Sequence, residues 1–437
     1  MQQLKKQSKV TLPMDILLEE ILPKVDVNSL FNLKLVCKSF NTLISTPEFV
    51  HRHLHRSLSS NTNRLVFLNT TTNRGLQLFD IDSLHSPPTH IPFPKAINIQ
   101  DHIHYFGSCN GLLCMGTVFG GLIMLLNPLT GSYLKIPPNF DSIDGFLLFD
   151  PGYGFGFDSL NNDYKIVRIT YSDDRMEVMV YSLRVNSWRQ LEDKTWDGFA
   201  INSNATVSGA LIGTHLLHWV FSKPKYNLNL HITQEWRHRI GCFNLTTEEW
   251  DQNVALPPDY GLDEVCFLSD VELRVVDGCL CLLVSMKSDL GKTVDIWVMK
   301  EYGVKESWVK LLEISTNKAI RTLDIFPLCY RRHDDEILVG RGRKQIHAKH
   351  EVEMKWHSIK DRKSRLSEIH EVCEVPQFYE AFICTGSLVT VKGVKDEKQS
   401  GGERAEDHVL DVQLDALLYV GVHNLDDISD SLNFNSW

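Results

Sequence analysis

The chain has 437 residues, 43% of them hydrophobic and 23% charged, which excludes chain-wide disorder and collagen-like repetition and calls for more than one core. With 45 Lys and Arg against 55 Asp and Glu the net charge is −10, so a surface built to coat nucleic acid is not expected. Ten cysteines in a chain this long do not read as a disulfide framework, no apolar leader follows Met1–Val10, and no apolar run approaches the ~20 residues of a membrane helix.

Residues 11–56 read as helices. Thr11 stands where an N-cap is wanted and Pro13 where a first turn tolerates a missing N–H. Leu17, Leu18, Ile21 and Leu22 recur at helical spacing, and Pro23 ends or kinks that stretch. Ser29 is the candidate cap of a second helix, whose Leu30, Leu33, Val36, Cys37, Phe40, Leu43 and Ile44 follow steps of three and four. Pro47 breaks the pattern, and Phe49, Val50 and Leu54 suggest a short third helix. A segment of about 45 residues is near the size at which a domain struggles to stabilise itself alone. Part of its apolar surface is therefore expected to be buried against another protein.

From about Asn63 the period changes to two. Runs such as Glu177–Tyr181 and Asp295–Met299 alternate or stay apolar, and turn signals at Asn110-Gly111, Asp158–Asp163 and Asp277-Gly278 separate them. Leu126–Tyr133, Tyr181–Trp188 and Phe243–Trp250 share one plan, with an apolar residue, a polar turn and an aromatic seven positions on; Val298–Trp308 is a longer version. Tyr133, Trp188, Trp250 and Trp308 are 55, 62 and 58 residues apart, the spacing of propeller blades. Weaker copies at Leu65–Pro92 and Ile337–Ile369 bring the expected number to six, with five or seven as alternatives and a two-sheet sandwich as the competing architecture. Phe378–Val391 reads as an extra strand pair able to close the ring on the first blade.

Residues 392–437 form an acidic tail. Residues 391–437 carry ten acidic and four basic side chains, whereas the first sixty residues carry eight basic and five acidic ones. Lys395–Asp407 reads as a linker, and Leu410, Val412, Leu414, Ala416, Leu418 and Val420 alternate as a strand would.

The helical segment, residues 10–57, resembles the F-box in Leu12-Pro13-Met14-Asp15-Ile16-Leu17, Glu20-Ile21-Leu22, Val27-Asn28-Ser29-Leu30 and Val36-Cys37-Lys38-Ser39-Phe40. Phe40 stands where plant F-boxes usually carry Trp, keeping the aromatic plug without the indole N–H. Residues 62–391 resemble the F-box-associated, kelch-like domain of plant F-box proteins. The matching motifs include Gly107–Cys114, Asn127-Pro128, Gly154–Asp158, Asp163–Val167, Val180–Leu183 and Asp295–Trp308. The resemblance implies a small all-α F-box followed by an all-β propeller. It implies binding of a Skp-type adaptor, and through it a cullin-RING ubiquitin ligase, by Leu12, Pro13, Ile16, Leu17, Ile21, Leu22, Leu30, Val36, Cys37 and Phe40. The function it implies is that of a non-catalytic substrate receptor without cofactor, nucleic acid or membrane, in the cytoplasm or nucleus. A non-degradative scaffold and an enzymatic propeller are the other classes to weigh.

Other residues invite competing readings. Cys279 with Cys281, or Cys109 with Cys114, could be metal ligands, but buried strand cysteines are the simpler reading and no CxxC pair exists. His51, Arg52, His53, His55 and Arg56 read as a solvated basic helix end, and Arg331, Arg332, Arg341, Arg343 and Lys344 as a polar loop. Gly152–Gly156 is Gly-rich but precedes a strand, so it offers no phosphate-binding helix terminus. For an unidentified protein target, long polar insertions are the candidates: Arg331–Lys349, and above all Lys223–Arg239 with Tyr226, Trp236 and Arg237 as anchors.

Overall fold

The computed structural model describes residues 16–59, 64–70, 75–79, 88–94, 103–117, 121–138, 151–172, 175–191, 200–201, 208–224, 236–251, 254–258, 271–288, 291–316, 325–330, 336–343, 351–360, 363–365 and 378–391. The expected cap at Thr11, Leu12, Pro13, the 395–407 linker and the 410–420 strand lie outside them.

A π-turn, Leu17–Ile21, passes into a 3-10 turn, Leu22–Lys24, at the expected break at Pro23. Three α-helices follow: Val27–Val36, Lys38–Ile44 and Pro47–Ser59. The single helix expected from Leu30 to Ile44 is therefore two. Cys37 is extended (φ −159°, ψ 160°), and its thiol accepts the Phe40 N–H at 3.5 Å. The apolar steps run on across the break because residues of both pieces, Leu30 and Ile44, share one core. The first helix is capped by Asp26 rather than Ser29: Asp26 Oδ1 accepts the Ser29 N–H at 2.9 Å, favourably placed at the positive helix end. The third helix is 13 residues long, not short.

Thereafter the chain is β. The strands are β1 Arg64–Thr70, β2 Gly75–Phe79, β3 Thr89–Pro92, β4 His104–Cys109, β5 Leu112–Gly116, β6 Ile123–Leu126 and β7 Tyr133–Ile136. Next come β8 Gly152–Asp158, β9 Asp163–Ser172, β10 Arg175–Ser182, β11 Ser187–Gln190, β12 Ala200–Ile201, β13 Ala210–Ile212, β14 Leu216–Pro224, β15 Trp236–Asn244 and β16 Glu249–Trp250. The last are β17 Val271–Val276, β18 Cys279–Ser288, β19 Gly291–Met299, β20 Trp308–Thr316, β21 Ile325–Tyr330, β22 Glu336–Arg343, β23 Glu351–Ser358, β24 Lys363–Arg365 and β25 Phe378–Thr385. Among the described residues they make six sheets, and the inner strands β25, β4, β8, β13, β17 and β21 contact one another in a closed ring. This is a β-propeller, not a two-sheet sandwich.

Two expectations about its blades are corrected. Five sheets have the four or more strands of a full blade, but β21–β22–β23 has three among the described residues, so six equivalent blades are not what is seen. In the unit read at Ile337–Ile369, β24 follows β23 in the chain but pairs in parallel with β20 of the preceding sheet. Closure also differs in detail. β25 alone pairs with β1, from Arg64 opposite Thr385 to Thr70 opposite Phe378, and residues 386–391 follow as an irregular run instead of a second strand.

The repeating hairpins form where their pattern places them. Leu126 pairs with Tyr133, Tyr181 with Trp188, Phe243 with Trp250, and Met299 with Trp308 in the longer version. Asn110-Gly111 and Asp277-Gly278 each have two successive positive φ angles, as tight right-twisted hairpins require. Gly152–Gly156 is itself strand β8 and does not precede one. Its glycines let the next blade come close: a Cβ on Gly154 would lie 2.7 Å from Trp219 Cζ2 and 2.8 Å from Leu217 Cδ1.

Two polar clusters sealed between blades are paired. Lys165 Nζ bonds to Asp158 Oδ2 at 2.8 Å, to the Leu245 carbonyl at 2.6 Å and to Glu248 Oε1 at 2.9 Å. Burial raises the Asp158 carboxyl, but its bonds from Lys165 and Asn161 outweigh this and hold it below the usual range. His218 Nδ1–H donates to the Ala210 carbonyl at 3.1 Å, which leaves Nε2 to accept the Tyr302 hydroxyl of the following blade at 2.7 Å.

Two predictions follow from this packing. Gly154→Ala should cost about 1–3 kcal/mol of stability by overpacking. Gly121→Ala, whose Cβ would meet only Thr117 Oγ1 at 3.6 Å, should be close to neutral. Equal melting temperatures for the two variants would contradict this account. Burial pushes His218, His238 and His357 down from 6.5 to about 4. Between those values the unfolded chain binds more protons than the folded one, so stability falls as pH is lowered from 6.5 towards 4. The loss at pH 5 is roughly 2 kcal/mol per histidine by linkage. Thermal melts at pH 7.5 and 5.0 measure it, and a melting temperature that does not fall would contradict it.

Candidate functional site

The helical segment has a core of its own, formed by Leu22, Val27, Leu30, Ile44 and Phe49. His53 closes one end, fully buried, with its Nε2–H on the Val25 carbonyl at 2.9 Å. The basic cluster expected at this helix end therefore loses its middle member to the interior, while Arg52, His55 and Arg56 stay exposed. With that core filled, large apolar side chains still face outward: Ile16 is 45% exposed, Ile21 39%, Leu35 87% and Val36 68%. Cys37 is exposed, and Leu17 and Phe40 are half-buried. Of the ten residues proposed for adaptor contact, Leu22 and Leu30 are thus interior supports for the surface. Leu35 was missed by the sequence reading because it falls between the helical steps that mark the core face.

The propeller has two unlike faces. One carries the first turn of each hairpin pair, and hydrogen bonds run from blade to blade across it. Asn110 Nδ2 donates to the Tyr164 hydroxyl at 3.1 Å, Thr246 Oγ1 to Asp158 Oδ1 at 3.1 Å, and the Tyr330 N–H to Asp277 Oδ2 at 2.7 Å. The helical segment sits on this face: Leu129, from the β6–β7 turn, and Leu388, just beyond β25, pack into its core. At the opposite face lie the strand ends at Ile136, Gly152, Pro224, Trp236, Trp250, Val271, Arg343 and Glu351.

This geometry sorts the candidate anchors. Trp236 and Arg237 belong to strand β15, opposite Pro224 and Lys223 of β14, and not to a loop. They stand at the strand ends remote from the helices. Tyr226 lies outside the described residues. Arg341 and Arg343 are likewise in strand β22, so the polar loop expected from Arg331 to Lys349 is interrupted by a strand.

The cysteines pack in cores. Cys109 and Cys114 lie in one apolar cluster and Cys281 in another, with Cys279 packed against the latter. Burial raises the thiols of all four, which disfavours the thiolate that metal binding or attack requires. Among the described residues no group of three or more His, Cys, Asp or Glu is placed to hold a metal ion. No helix among them is long and apolar enough to cross a membrane.

Comparison with known families matches residues 11–52 to the F-box domain and residues 67–391 to the F-box associated beta propeller domain. F-box protein CPR1 of Arabidopsis thaliana is 27% identical over 87% of this chain and 89% of its own length. An F-box/kelch-repeat protein of the same plant is 28% identical over 69% of this chain and 79% of its own. Among solved structures, TolB from Acinetobacter baumannii aligns at a TM-score of 0.41 and 10% identity, covering 77% of this chain and 70% of that one, a likeness too weak to carry an argument.

Proposed function

This chain belongs to the plant F-box proteins that carry an F-box-associated β-propeller, and we propose on that premise that it is the substrate-recognition subunit of an SCF-type ubiquitin ligase. The helices dock on a Skp-type adaptor, which joins the protein to a cullin-RING ligase in the cytoplasm or nucleus. The propeller holds a protein target near a ubiquitin-loaded enzyme. Its contribution is proximity: a bound target sees a high effective concentration of the transferring enzyme. The observation that carries this reading is the exposed set Ile16, Ile21, Leu35 and Val36 on a helical segment whose core is already filled, Leu388 of the propeller included. Such side chains contribute about 1.5–3 kcal/mol each when a partner covers them.

The surface proposed for the target is the face away from the helices. The helical segment packs on the turn face, and the other face, where β14 ends and β15 begins, carries Trp236 and Arg237.

Ile21→Asp and Val36→Asp test the adaptor surface without disturbing the helical core. Each should lower adaptor capture by about tenfold or more with an unchanged melting temperature. Undiminished capture by both would remove the F-box reading. On the target side, replacing Tyr226, Trp236 and Arg237 together by Ala should weaken target capture and spare the adaptor. Proximity labelling with the proteasome blocked reads this out. Equal labelling by a folded triple variant would move the recognition surface elsewhere.

A further inference from the structure

Residues 386–391 bind in two directions at once. Towards the ring, Ser387 is fully buried, and its Oγ donates to the Asn110 carbonyl at 2.8 Å. Asn127, also fully buried, donates its amide to the Ser387 carbonyl at 3.0 Å and the Val389 carbonyl at 2.7 Å. Its Oδ1 meanwhile accepts the N–H groups of Leu129 and Thr130 at 3.0 and 3.2 Å. The Val391 N–H reaches Ser132 Oγ at 3.3 Å, and the Val391 side chain joins the core between the β4–β7 and β8–β11 blades. Gly111 fits only because it has no Cβ, which would strike Ser387. Towards the helices, Leu388 points the other way and is buried among Leu22, Val27, Leu30, Ile44 and Phe49, with Leu129 beside it.

We propose that residues 386–391 are a joint that makes closure of the ring and seating of the helical domain one cooperative event, held by Asn127 and Ser387 on the ring side and by Leu388 on the helical side. Asn127 grips the backbone on both sides of Leu388 and, through Oδ1, fixes the turn that carries Leu129. One side chain thus sets both propeller residues that enter the helical core. A ring that has not closed cannot present Leu388, so the helices are held in register only by a completed propeller. The consequence for ubiquitin transfer, a fixed offset between adaptor and target face, rests on the ligase reading above. The joint itself does not.

Hydrogen exchange on the full-length protein tests this. Asn127→Ala removes only bonds to residues 129, 130, 387 and 389, yet amides of residues 27–49 should exchange roughly tenfold faster or more, together with those of β25. Leu388→Ala, which leaves the ring-side bonds in place, should also speed exchange in β25. Ser387→Ala, a milder change without loss of bulk, should move both regions in the same direction. Amides of β17–β20, on the far side of the ring, report that each variant is folded. Faster exchange confined to residues 127–132 and 386–391 would overturn the joint, as would helices that respond to Leu388→Ala while β25 does not. Adaptor capture by the unaltered protein is scored separately, so failure of the ligase reading is distinguishable from failure of the joint.

Discussion

The structure depends on closing a sheet ring with β25, the last strand among the described residues. β25 completes the first blade by pairing along all of β1, bringing Thr385 opposite Arg64, and its inner position lets it touch the inner strands on both sides. Without it, the edge of β1 would lack its partner, and an unpaired strand edge invites association with other chains. The contact is strongly reinforced: Phe382 stacks on Tyr105 of the next blade at 4.1 Å between ring centroids, and Ser108 Oγ donates to the Ile383 carbonyl at 3.2 Å.

Closure also decides which face is which. Because β25 runs antiparallel to β1, the chain leaves it on the same face by which the linker from the helices enters. The helical domain, the tight turns and the closing run therefore gather at one side. The turns there have little freedom. Asn127 and Asn110 spend their polar groups on neighbouring backbone and on Tyr164.

Between blades, the same residue type solves the same problem twice. Trp188 and Trp308 each lie at the start of the outer strand of a hairpin, second and first in it, and donate their indole N–H to the backbone at Pro137 and Ala255, over 2.9 and 2.8 Å. The repeating aromatic is therefore both a cross-strand packing partner and a tie to the blade before it. His218 with Tyr302, and Lys165 with Asp158 and Glu248, add polar ties where apolar contact alone would not fix the angle between sheets.

Much of this was legible in the sequence. The change of period near residue 63 marked the two domains, the apolar–turn–aromatic spacing placed three hairpins to the residue and a fourth to within one, and the run Phe378–Val391, though read as a strand pair, announced closure. These features are local: periodicity and turn chemistry are set by the backbone of a few residues. What the sequence could not settle were choices made by residues far away in the chain. Cys37 breaks a continuous apolar stripe because both halves can share one core, and His53 is interior because the Val25 carbonyl needs a donor. β24 pairs with β20 of the preceding blade, and the glycines of Gly152–Gly156 let Trp219 and Leu217 pack directly against the strand. The outward position of Leu35 and the inward position of Leu388 have the same origin. Spacing identifies a face, and only the packed neighbours determine whether that face is covered.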